Sequence, residues 1–296
     1  MTPMSTVAPA TRPAPAGAPR LSGAPRRTRP GRSYLHTVIG IVLVAIMLFP
    51  VYWMLNASLA PAGNSLNTQW LPLDPDFSGY SRAIADQGQN LVTSLIVAVG
   101  ACILSVTIAA PCAYALAQFK IKGTAVLLFI VLISQMIPGI VIANALYTVY
   151  TPLGLINSIP GLILADASQG IPFAILIMRA YLETFPTSIV EAARVDGCGH
   201  FRAFWSIVLP VSKNSLITAG IFSFLFAWSD FLMALTLTTG ETIRPVTLGL
   251  YTYIGTNDTD WSAVMSTAVL SSLPAVILMI VAQKYVAAGA TGGAVK

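Results

Sequence analysis

Six long apolar stretches constrain this chain more than any other feature of its sequence. A hydrocarbon core of about 30 Å takes about 20 helical residues to cross, because an α-helix rises about 1.5 Å per residue. Only 9% of the 296 residues are charged, against roughly 25% in a soluble domain. We therefore predict an all-α integral membrane protein with six transmembrane helices. The predicted spans lie at about 36–58, 91–117, 124–147, 160–181, 214–238 and 262–284.

The basic residues are distributed unevenly between the predicted loops. Of the 16 Lys and Arg residues, 14 fall in the N-terminal tail, the second and fourth loops, the inner end of the fourth span or the C-terminus. Only Arg82 and Arg244 lie on the other side of the predicted membrane. By the positive-inside rule, both termini are predicted to be cytoplasmic. The net charge of +5 is thus interpreted as a topology signal and not as a sign of nucleic-acid binding.

The composition divides the chain into four segments. Residues 1–32 are rich in Pro, Ala and Arg and are predicted to form a disordered cytoplasmic tail. Residues 33–89 hold the first span and an outer loop, and 90–284 hold the other five spans. A long cytoplasmic loop at about 183–210 lies inside this core, and 285–296 form a cytoplasmic C-terminal tail.

Motifs for catalysis and metal binding are missing from the sequence. No G-x-x-x-x-G-K-[ST] loop occurs, so the chain has no phosphate-binding loop of that type. Its two histidines, His36 and His200, have no partner at the spacing of a zinc site. We therefore expect a non-catalytic chain without a metal. If the protein uses ATP, another polypeptide is expected to hydrolyse it.

The loop between the fourth and fifth spans carries the most specific signal. Ser188 followed by Glu191 has the spacing of a capping box, which predicts that a helix begins at Ser188. Gly197 is suited to the left-handed residue that ends such a helix. A second short helix is predicted from about His200 to Val208, ended by Pro210. The loop is thus expected to fold into two short helices below the membrane.

Seven residues of this loop follow a known pattern. They are Glu191, Ala192, Ala193, Gly197, Ile207, Leu209 and Pro210. Their spacing resembles, at every position, the EAA loop E-A-A-x3-G-x9-I-x-L-P of the permease subunits of bacterial binding-protein-dependent ABC importers, in which Asp196 is also usual. The run WSDFLMALTL from Trp228 and the run RPVTLGL resemble the carbohydrate-importer branch of this family, in particular MalG-like subunits.

The resemblance implies a fold, a location and a set of partners. It implies a type I permease fold in the bacterial cell membrane, in which these loop residues and Asp196 form the coupling helix that docks on an ATPase. The implied assembly has a second homologous permease subunit, two ATPase subunits and an extracytoplasmic sugar-binding protein. No cofactor is expected on this chain, because ATP and magnesium would bind to the ATPase. The implied function is import of a sugar, such as an oligosaccharide.

Candidate residues of the substrate path follow from polar and aromatic groups in apolar spans. Asp230 is costly in a membrane helix and either lines the translocation cavity or pairs with a neighbouring helix. Asp166 either lines the same path or is solvated at the outer interface. Trp228 and Phe231 either stack on a sugar ring or pack in the apolar interior. Glu191 likewise either docks on the ATPase or only caps its helix.

Two other functions compete with sugar import. A permease of the same superfamily for a different solute would share the EAA loop, and solute-dependent ATPase activity would identify it. A secondary transporter or a channel would need coupling charges or a filter in the membrane and would have no use for a docking loop. Transport without any ATPase subunit would identify that class.

Overall fold

The fold is known from a computed structural model that describes residues 30–62, 69–119, 121–240, 242–253 and 260–292. Within these residues every regular element is helical, which confirms the all-α prediction. The predicted disordered tail lies outside the described residues except for its last three positions, which begin the first helix. The chain divides after Phe49 into two units, which are described separately.

The helices follow one another with short connections. They are α1 (Pro30–Ser58), α2 (Ser78–Gln118), α3 (Thr124–Ser134), α4 (Gly139–Leu153), α5 (Ile159–Leu182), α6 (Thr187–Val195), α7 (His200–Ala203), α8 (Leu209–Val211), α9 (Lys213–Ser229), α10 (Leu232–Leu237), α11 (Val246–Tyr253) and α12 (Trp261–Gly292). A π-helical turn, Phe204–Val208, joins α7 to α8. In the first unit, the described side chains of α1 from Tyr34 to Phe49 are all exposed.

In the described part of the chain, four helices, α1, α2, α5 and α12, are each long and apolar enough to cross a membrane. Two bent pairs, α3 with α4 and the segment His200–Val211 with α9, bring the number to as many as six if each pair is one span. Helix α2 begins at Ser78, and α12 continues to Gly292. Both extend past the spans predicted from the apolar runs, because a helix can continue into water once its backbone hydrogen bonds are formed.

The third predicted span, 124–147, is not a single straight helix. Helices α3 and α4 meet at an angle of 92°. Pro138 lies at this bend in an extended conformation, with φ −57° and ψ 132°, and precedes α4. Proline has no N–H to continue the helical ladder and disfavours helical geometry in the residue before it. The bend expected from a proline inside this span is therefore present at Pro138.

The fifth predicted span, 214–238, is also interrupted. Helix α9 ends at Ser229, and Asp230 has an extended backbone with ψ 133°. The carboxylate of Asp230 accepts hydrogen bonds from the amides of Met233 (3.3 Å) and Ala234 (3.1 Å) at the beginning of α10. A short acidic side chain can thus replace the backbone acceptors of a continuing helix. The acidic residue that made this span unusual is also the point at which the helix breaks.

Helices α2, α5 and α9 pack closely and are called the helical spine here. Their contact surfaces are rich in small residues, which let helix backbones approach each other in a membrane. At Gly170 of α5, an added Cβ would lie 2.9 Å from the hydroxyl of Ser105 on α2 and 3.4 Å from that of Ser223 on α9. Buried alanines of the spine include Ala98, Ala101, Ala109, Ala113, Ala165, Ala167, Ala174 and Ala219.

Candidate functional site

The first helix of the 183–210 loop does not begin where the capping box predicted. Helix α6 begins at Thr187, Pro186 is the residue before its first turn, and no side-chain hydrogen bond caps it. Ser188 therefore lies inside the helix. Proline is pre-organised for a helix start and holds the preceding backbone extended, so the helix begins earlier than Ser188. This removes the capping role considered for Glu191.

The end of α6 confirms the role predicted for Gly197. This glycine has φ +83°, in the left-handed region. Its amide donates to the carbonyl of Arg194 (3.1 Å), and the amide of Cys198 donates to the carbonyl of Ala193 (2.9 Å). These two bonds form a Schellman motif, which satisfies the last carbonyls of the helix. Asp196 is the residue at which the helix ends.

The second helix of the loop is longer than predicted. Helix α7, the π turn and α8 together reach Val211, so Pro210 does not end the helix at Val208. In the π turn, the amide of Leu209 donates to the carbonyl of Phe204, five residues earlier. A π turn directly before Pro210 changes the hydrogen-bond ladder where the proline has no N–H to contribute.

The exposed surface of this loop combines charged and apolar side chains. Glu191 and Ala192 are exposed, Ala193 is half-buried, and Glu191 has neither an ion pair nor a hydrogen bond within the described part of the chain. Nearby, the exposed fraction is 87% for Val195 and 78% for Phe201. Large apolar side chains that are this exposed are typical of a surface that contacts another protein.

The loop is joined to the membrane helices by aromatic packing. Phe204 is buried, and its ring lies 5.2 Å from that of Tyr114 on α2. The imidazole ring of His200 lies 5.2 Å from the ring of Phe119, just after α2. Leu209 packs against the same buried cluster. Of the other two predicted loop residues, Ile207 is half-buried and Pro210 is exposed.

A polar cavity of about 390 Å³ lies where the two broken helices face α5. Its polar lining residues are Ser134, Gln135, Asp166, Ser168, Gln169 and Asp230. Apolar lining comes from Ile137, Ile142, Pro172 and Phe226. Asp166 and Asp230, the two acidic residues predicted for the substrate path, therefore line the same cavity, although they belong to different spans.

The two carboxyl groups of this cavity are held differently. Asp166 is 5% exposed, and its Oδ1 is buried without a hydrogen-bond partner among the described residues. It is thus buried among the described helices, at the wall of the cavity. Asp230 accepts the backbone N–H groups that begin α10, which orients its carboxylate at the cavity wall.

The two predicted aromatic residues do not line this cavity. Trp228 is buried, stacks on Phe224 with ring centroids 5.7 Å apart, and donates its Nε1–H to the carbonyl of Ser271 (2.9 Å) on α12. Phe231 contacts the ring of Tyr251 edge-on at 5.4 Å. These positions correspond to packing, the second of the two interpretations considered for them.

Four cavity residues were not identified as site residues from the sequence. They are Ser134, Gln135, Ser168 and Gln169. Each pair interrupts an apolar run with two adjacent polar side chains, and this signal could have identified them. Their shared location could not be predicted, because the bend between α3 and α4 places the first pair beside α5.

Asn157 was also not identified, although it ties two loops together. It is the one described non-glycine residue with positive φ, at 54°. Its side-chain Oδ1 accepts hydrogen bonds from the backbone amides of Thr239 (2.7 Å) and Gly240 (2.8 Å). The backbone amide of Asn157 donates to the carbonyl of Leu237 (2.9 Å). The loop before α5 is thereby fixed to the end of α10, next to the helix that Asp230 starts.

Residues 105–291 match the family described as binding-protein-dependent transport system inner membrane component. This segment includes the last part of α2, the whole of α5 and α9, the polar cavity and the 183–210 loop. The chain belongs to this family. A member of this family is the membrane subunit of a transport system that also includes a binding protein and an ATPase, and it is not itself catalytic.

Several relatives extend this similarity over most of the chain. The diacetylchitobiose uptake system permease protein DasC of Streptomyces coelicolor is 32% identical over 88% of this chain and 95% of its own. The trehalose/maltose transport system permease protein MalG of Thermococcus litoralis is 29% identical over 88% and 95%. A crystal structure of a bacterial ABC transporter involved in the import of the acidic polysaccharide alginate contains a chain that is 25% identical, with a TM-score of 0.75, over 88% of this chain and 99% of that one. The resemblance to carbohydrate-importer permeases is thus confirmed.

Proposed function

We propose that this chain is one of two homologous permease subunits of an ATP-driven importer that carries a saccharide into the cytoplasm. Two separate ATPase subunits would bind ATP and magnesium, and an extracytoplasmic binding protein would deliver the sugar. Relatives of similar length that are named for diacetylchitobiose and for trehalose or maltose support a saccharide. This chain would bind no cofactor of its own.

The proposed contact with the ATPase is the exposed face of the cytoplasmic loop. One observation carries it: Glu191 is exposed and unpaired in the described chain, in the same loop as the exposed apolar side chains of Val195 and Phe201. Around Glu191, the proposed coupling residues are Ala192, Ala193, Asp196, Gly197, Ile207, Leu209 and Pro210. The Schellman motif at Gly197 and the ring contact of Phe204 with Tyr114 support a rigid loop. Such a loop could transmit movement of the ATPase to α2.

Replacing Glu191 tests this contact. The Glu191→Gln variant keeps the size and helix propensity of the residue but removes its charge. If the carboxylate pairs with a basic residue of the ATPase, the unpaired partner charge costs about 2–5 kcal/mol. We expect fewer ATPase subunits to co-purify with the variant, and ATP hydrolysis to lose its stimulation by loaded binding protein. Glu191→Lys should be more severe.

Glu183 provides a matched control for this experiment. It lies in the same loop, but its carboxylate pairs with Arg179 of the same chain at 2.5 Å. Glu183→Gln should therefore leave the ATPase bound, because an exposed ion pair of this kind is worth about 0–1 kcal/mol. Normal ATPase binding and transport by both Glu191 variants would show that this residue does not dock.

The proposed orientation places both termini and the coupling loop in the cytoplasm. The positive-inside distribution of Lys and Arg supports it. In intact cells, Asp74→Cys in the exposed outer loop should react with a membrane-impermeant thiol reagent, whereas Cys198 in the coupling loop should react only after the cells are opened. The membrane residues Cys102 and Cys112 are replaced by Ser in both strains. Labelling of Cys198 from outside would overturn the orientation and the coupling role.

The cavity between α3, α5 and α9 is proposed to be this chain's part of the saccharide path. Asp166 and Asp230 both line it, and intramembrane acidic residues by default mark a transport path. Stimulation of the reconstituted complex's ATPase by a panel of saccharides and non-sugar solutes tests the class of solute. Stimulation by a non-sugar alone would identify a permease for another solute.

A further inference from the structure

An apolar pocket of about 580 Å³ lies between α2, the first turn of α9 and the second helix of the 183–210 loop. Its wall on the loop side includes Phe204 and Trp205, the first two residues of the π turn. No Asp, Glu, Lys or Arg lines it in the described part of the chain. Its volume is within the range of about 300–1,000 Å³ that is usual for small-ligand sites. The pocket is thus suited to an apolar group.

A second apolar space, a groove of about 440 Å³ along α2 and α9, adjoins this pocket. The two are neighbours because Val106, Thr107 and Leu216 line both of them. The lining on α2 extends from Cys102 in the groove to Ala115 in the pocket, which is about 20 Å of helix. One leaflet of the hydrocarbon core is about 15 Å thick. The pocket and the groove together are therefore long enough to hold an acyl chain.

The hydroxyl of Tyr114 supplies independent evidence that a ligand binds in the pocket. Tyr114 lines the pocket and is 5% exposed, and its hydroxyl is buried without a hydrogen-bond partner among the described residues. Its ring is fixed between the rings of Phe119 and Phe204, at 5.6 and 5.2 Å. A buried polar group without a partner is costly, and this hydroxyl has a proton to donate. A ligand oxygen, such as that of a phosphate, would accept the proton and remove the cost.

Basic residues flank the end of the pocket that lies at the loop. His200 lines the pocket, and the exposed Arg202 follows Phe201, which lines it as well. Lys213 is exposed on α9 three residues before Leu216, another lining residue, so the two share one face of the helix. Neither Arg202 nor Lys213 has an ion pair among the described residues. This end of the pocket is therefore suited to an anionic group.

We propose that the pocket binds an anionic phospholipid of the cytoplasmic leaflet. One acyl chain lies in the pocket and the adjoining groove, and a phosphate oxygen accepts the hydroxyl of Tyr114 beside the basic residues. Basic pockets at the cytoplasmic ends of membrane helices bind such headgroups. The lipid then fills the space between α2 and the coupling loop. The proposal rests on the orientation proposed above, which places this loop in the cytoplasm, and it does not depend on the imported solute.

Photo-crosslinking in nanodiscs tests for this lipid. The complete complex is reconstituted in phosphatidylcholine with a trace of either phosphatidylglycerol or phosphatidylcholine that carries a diazirine at the end of one acyl chain. After irradiation, peptide mass spectrometry gives the share of the chain's labelling that falls on the groove residues Ile217 and Ile221. We expect the phosphatidylglycerol probe to label them at least about fivefold more than the phosphatidylcholine probe, because nearby Lys and Arg attract anionic lipids.

Variants of the pocket should change this labelling. Ala115→Phe fills the pocket and should abolish the preferential labelling of the groove, whereas Ala125→Phe, at an exposed position that lines neither space, should leave it unchanged. Replacing both Arg202 and Lys213 by Gln should bring the two probes close to equal labelling.

Tyr114→Phe provides a second measurement that does not depend on filling the pocket. In detergent without phospholipid, the variant should unfold at the same midpoint as the parent or higher, because the hydroxyl that it loses has no partner there. Added phosphatidylglycerol should raise the midpoint of the parent more than that of the variant, since a ligand stabilises the folded state according to its affinity. An equal rise for both would overturn the proposed contact with Tyr114.

Equal labelling by the two probes in the parent, or labelling that Ala115→Phe does not change, would overturn the anionic lipid site. Protection of the groove from both probes would also overturn it, because another protein segment would then cover the groove. Stimulation of ATP hydrolysis by loaded binding protein in the same nanodiscs separates this result from the proposed function. A complex that is stimulated but shows no preferential labelling contradicts only the lipid site, and a complex that is not stimulated contradicts the import function.

Discussion

The helical spine and the polar cavity share α5 and α9 but differ in whether the chain around them is continuous. In the spine, α2, α5 and α9 run without interruption. Because Gly170 has no side chain, the three helices approach so closely that an added Cβ would lie 2.9 Å from the hydroxyl of Ser105. At the cavity, the chain breaks twice, at Pro138 and at Asp230. Close packing of small residues makes one side rigid, whereas the breaks make room for polar groups on the other.

The difference follows from how a membrane treats the backbone. An unsatisfied N–H or C=O costs several kcal/mol in hydrocarbon, so a break is tolerated only where protein or water can satisfy it. Asp230 satisfies two amides of α10, and the cavity beside it is polar. The breaks thus lie beside the polar cavity, which is the proposed solute path, whereas the uninterrupted helices α2, α5 and α9 form the closely packed spine.

The largest expected effect is on the spine side. In Gly170→Val, the new Cβ would lie 2.9 Å from the hydroxyl of Ser105, and we expect a loss of about 1–3 kcal/mol from overpacking. Thermal unfolding of the purified complex should move to a clearly lower midpoint. Gly88→Ala is the control, because the nearest atom to its added Cβ is 3.9 Å away, and alanine in an open helical position stabilises by about 0.5–1 kcal/mol. Equal midpoints for the two variants would contradict the close packing of the spine.

The next effect concerns the tie that holds the cavity side in place. Asn157→Ala removes the acceptor of two amides and puts an alanine at φ 54°, a conformation that costs about 1–2 kcal/mol in itself. Asn157→Gly removes the same hydrogen bonds but tolerates the backbone. We therefore expect Ala to lower the unfolding midpoint more than Gly, and both to slow transport. If Gly were the more damaging change, backbone strain would not be the reason for asparagine here.

A smaller change in stability but a specific change in transport is expected at Asp230. Asp230→Ala removes the acceptor of two amides at the start of α10, worth about 1 kcal/mol by analogy with helix caps. Asp230→Asn retains a side-chain oxygen that can accept. Unfolding midpoints should rank the parent above Asn and Asn above Ala, and import rates should fall in both variants. Normal import by the Ala variant would remove Asp230 from the proposed path.

The smallest effect returns to the spine. Trp228→Phe keeps an aromatic ring to stack on Phe224 but loses the 2.9 Å hydrogen bond to the carbonyl of Ser271. A loss of about 1 kcal/mol is expected, together with unchanged solute selectivity, because Trp228 does not line the cavity. A change in which saccharide stimulates ATP hydrolysis would assign Trp228 to the path after all.

The 183–210 loop shows which local sequence signals predict the structure correctly. Gly197 was predicted correctly because the end of a helix needs a left-handed residue, and this requirement is local. The helix start was predicted wrongly because two local signals compete: the serine and glutamate pair at 188 and 191, and Pro186 just before it. The proline prevails since it restricts the backbone itself, whereas a side-chain cap adds only about 1 kcal/mol.

The sequence by itself determined that this chain is helical, that it lies in a membrane and which loop resembles a coupling loop, because hydrophobic length, Lys and Arg counts and motif spacing are properties of continuous segments. Only the tertiary structure decided that Asp166 and Asp230 share one cavity, that Ser134 and Gln135 join them, and that Trp228 faces away from it. The physical reason is that bends at Pro138 and Asp230 redirect whole helices. Which distant side chains then meet depends on packing between helices, which no single segment encodes.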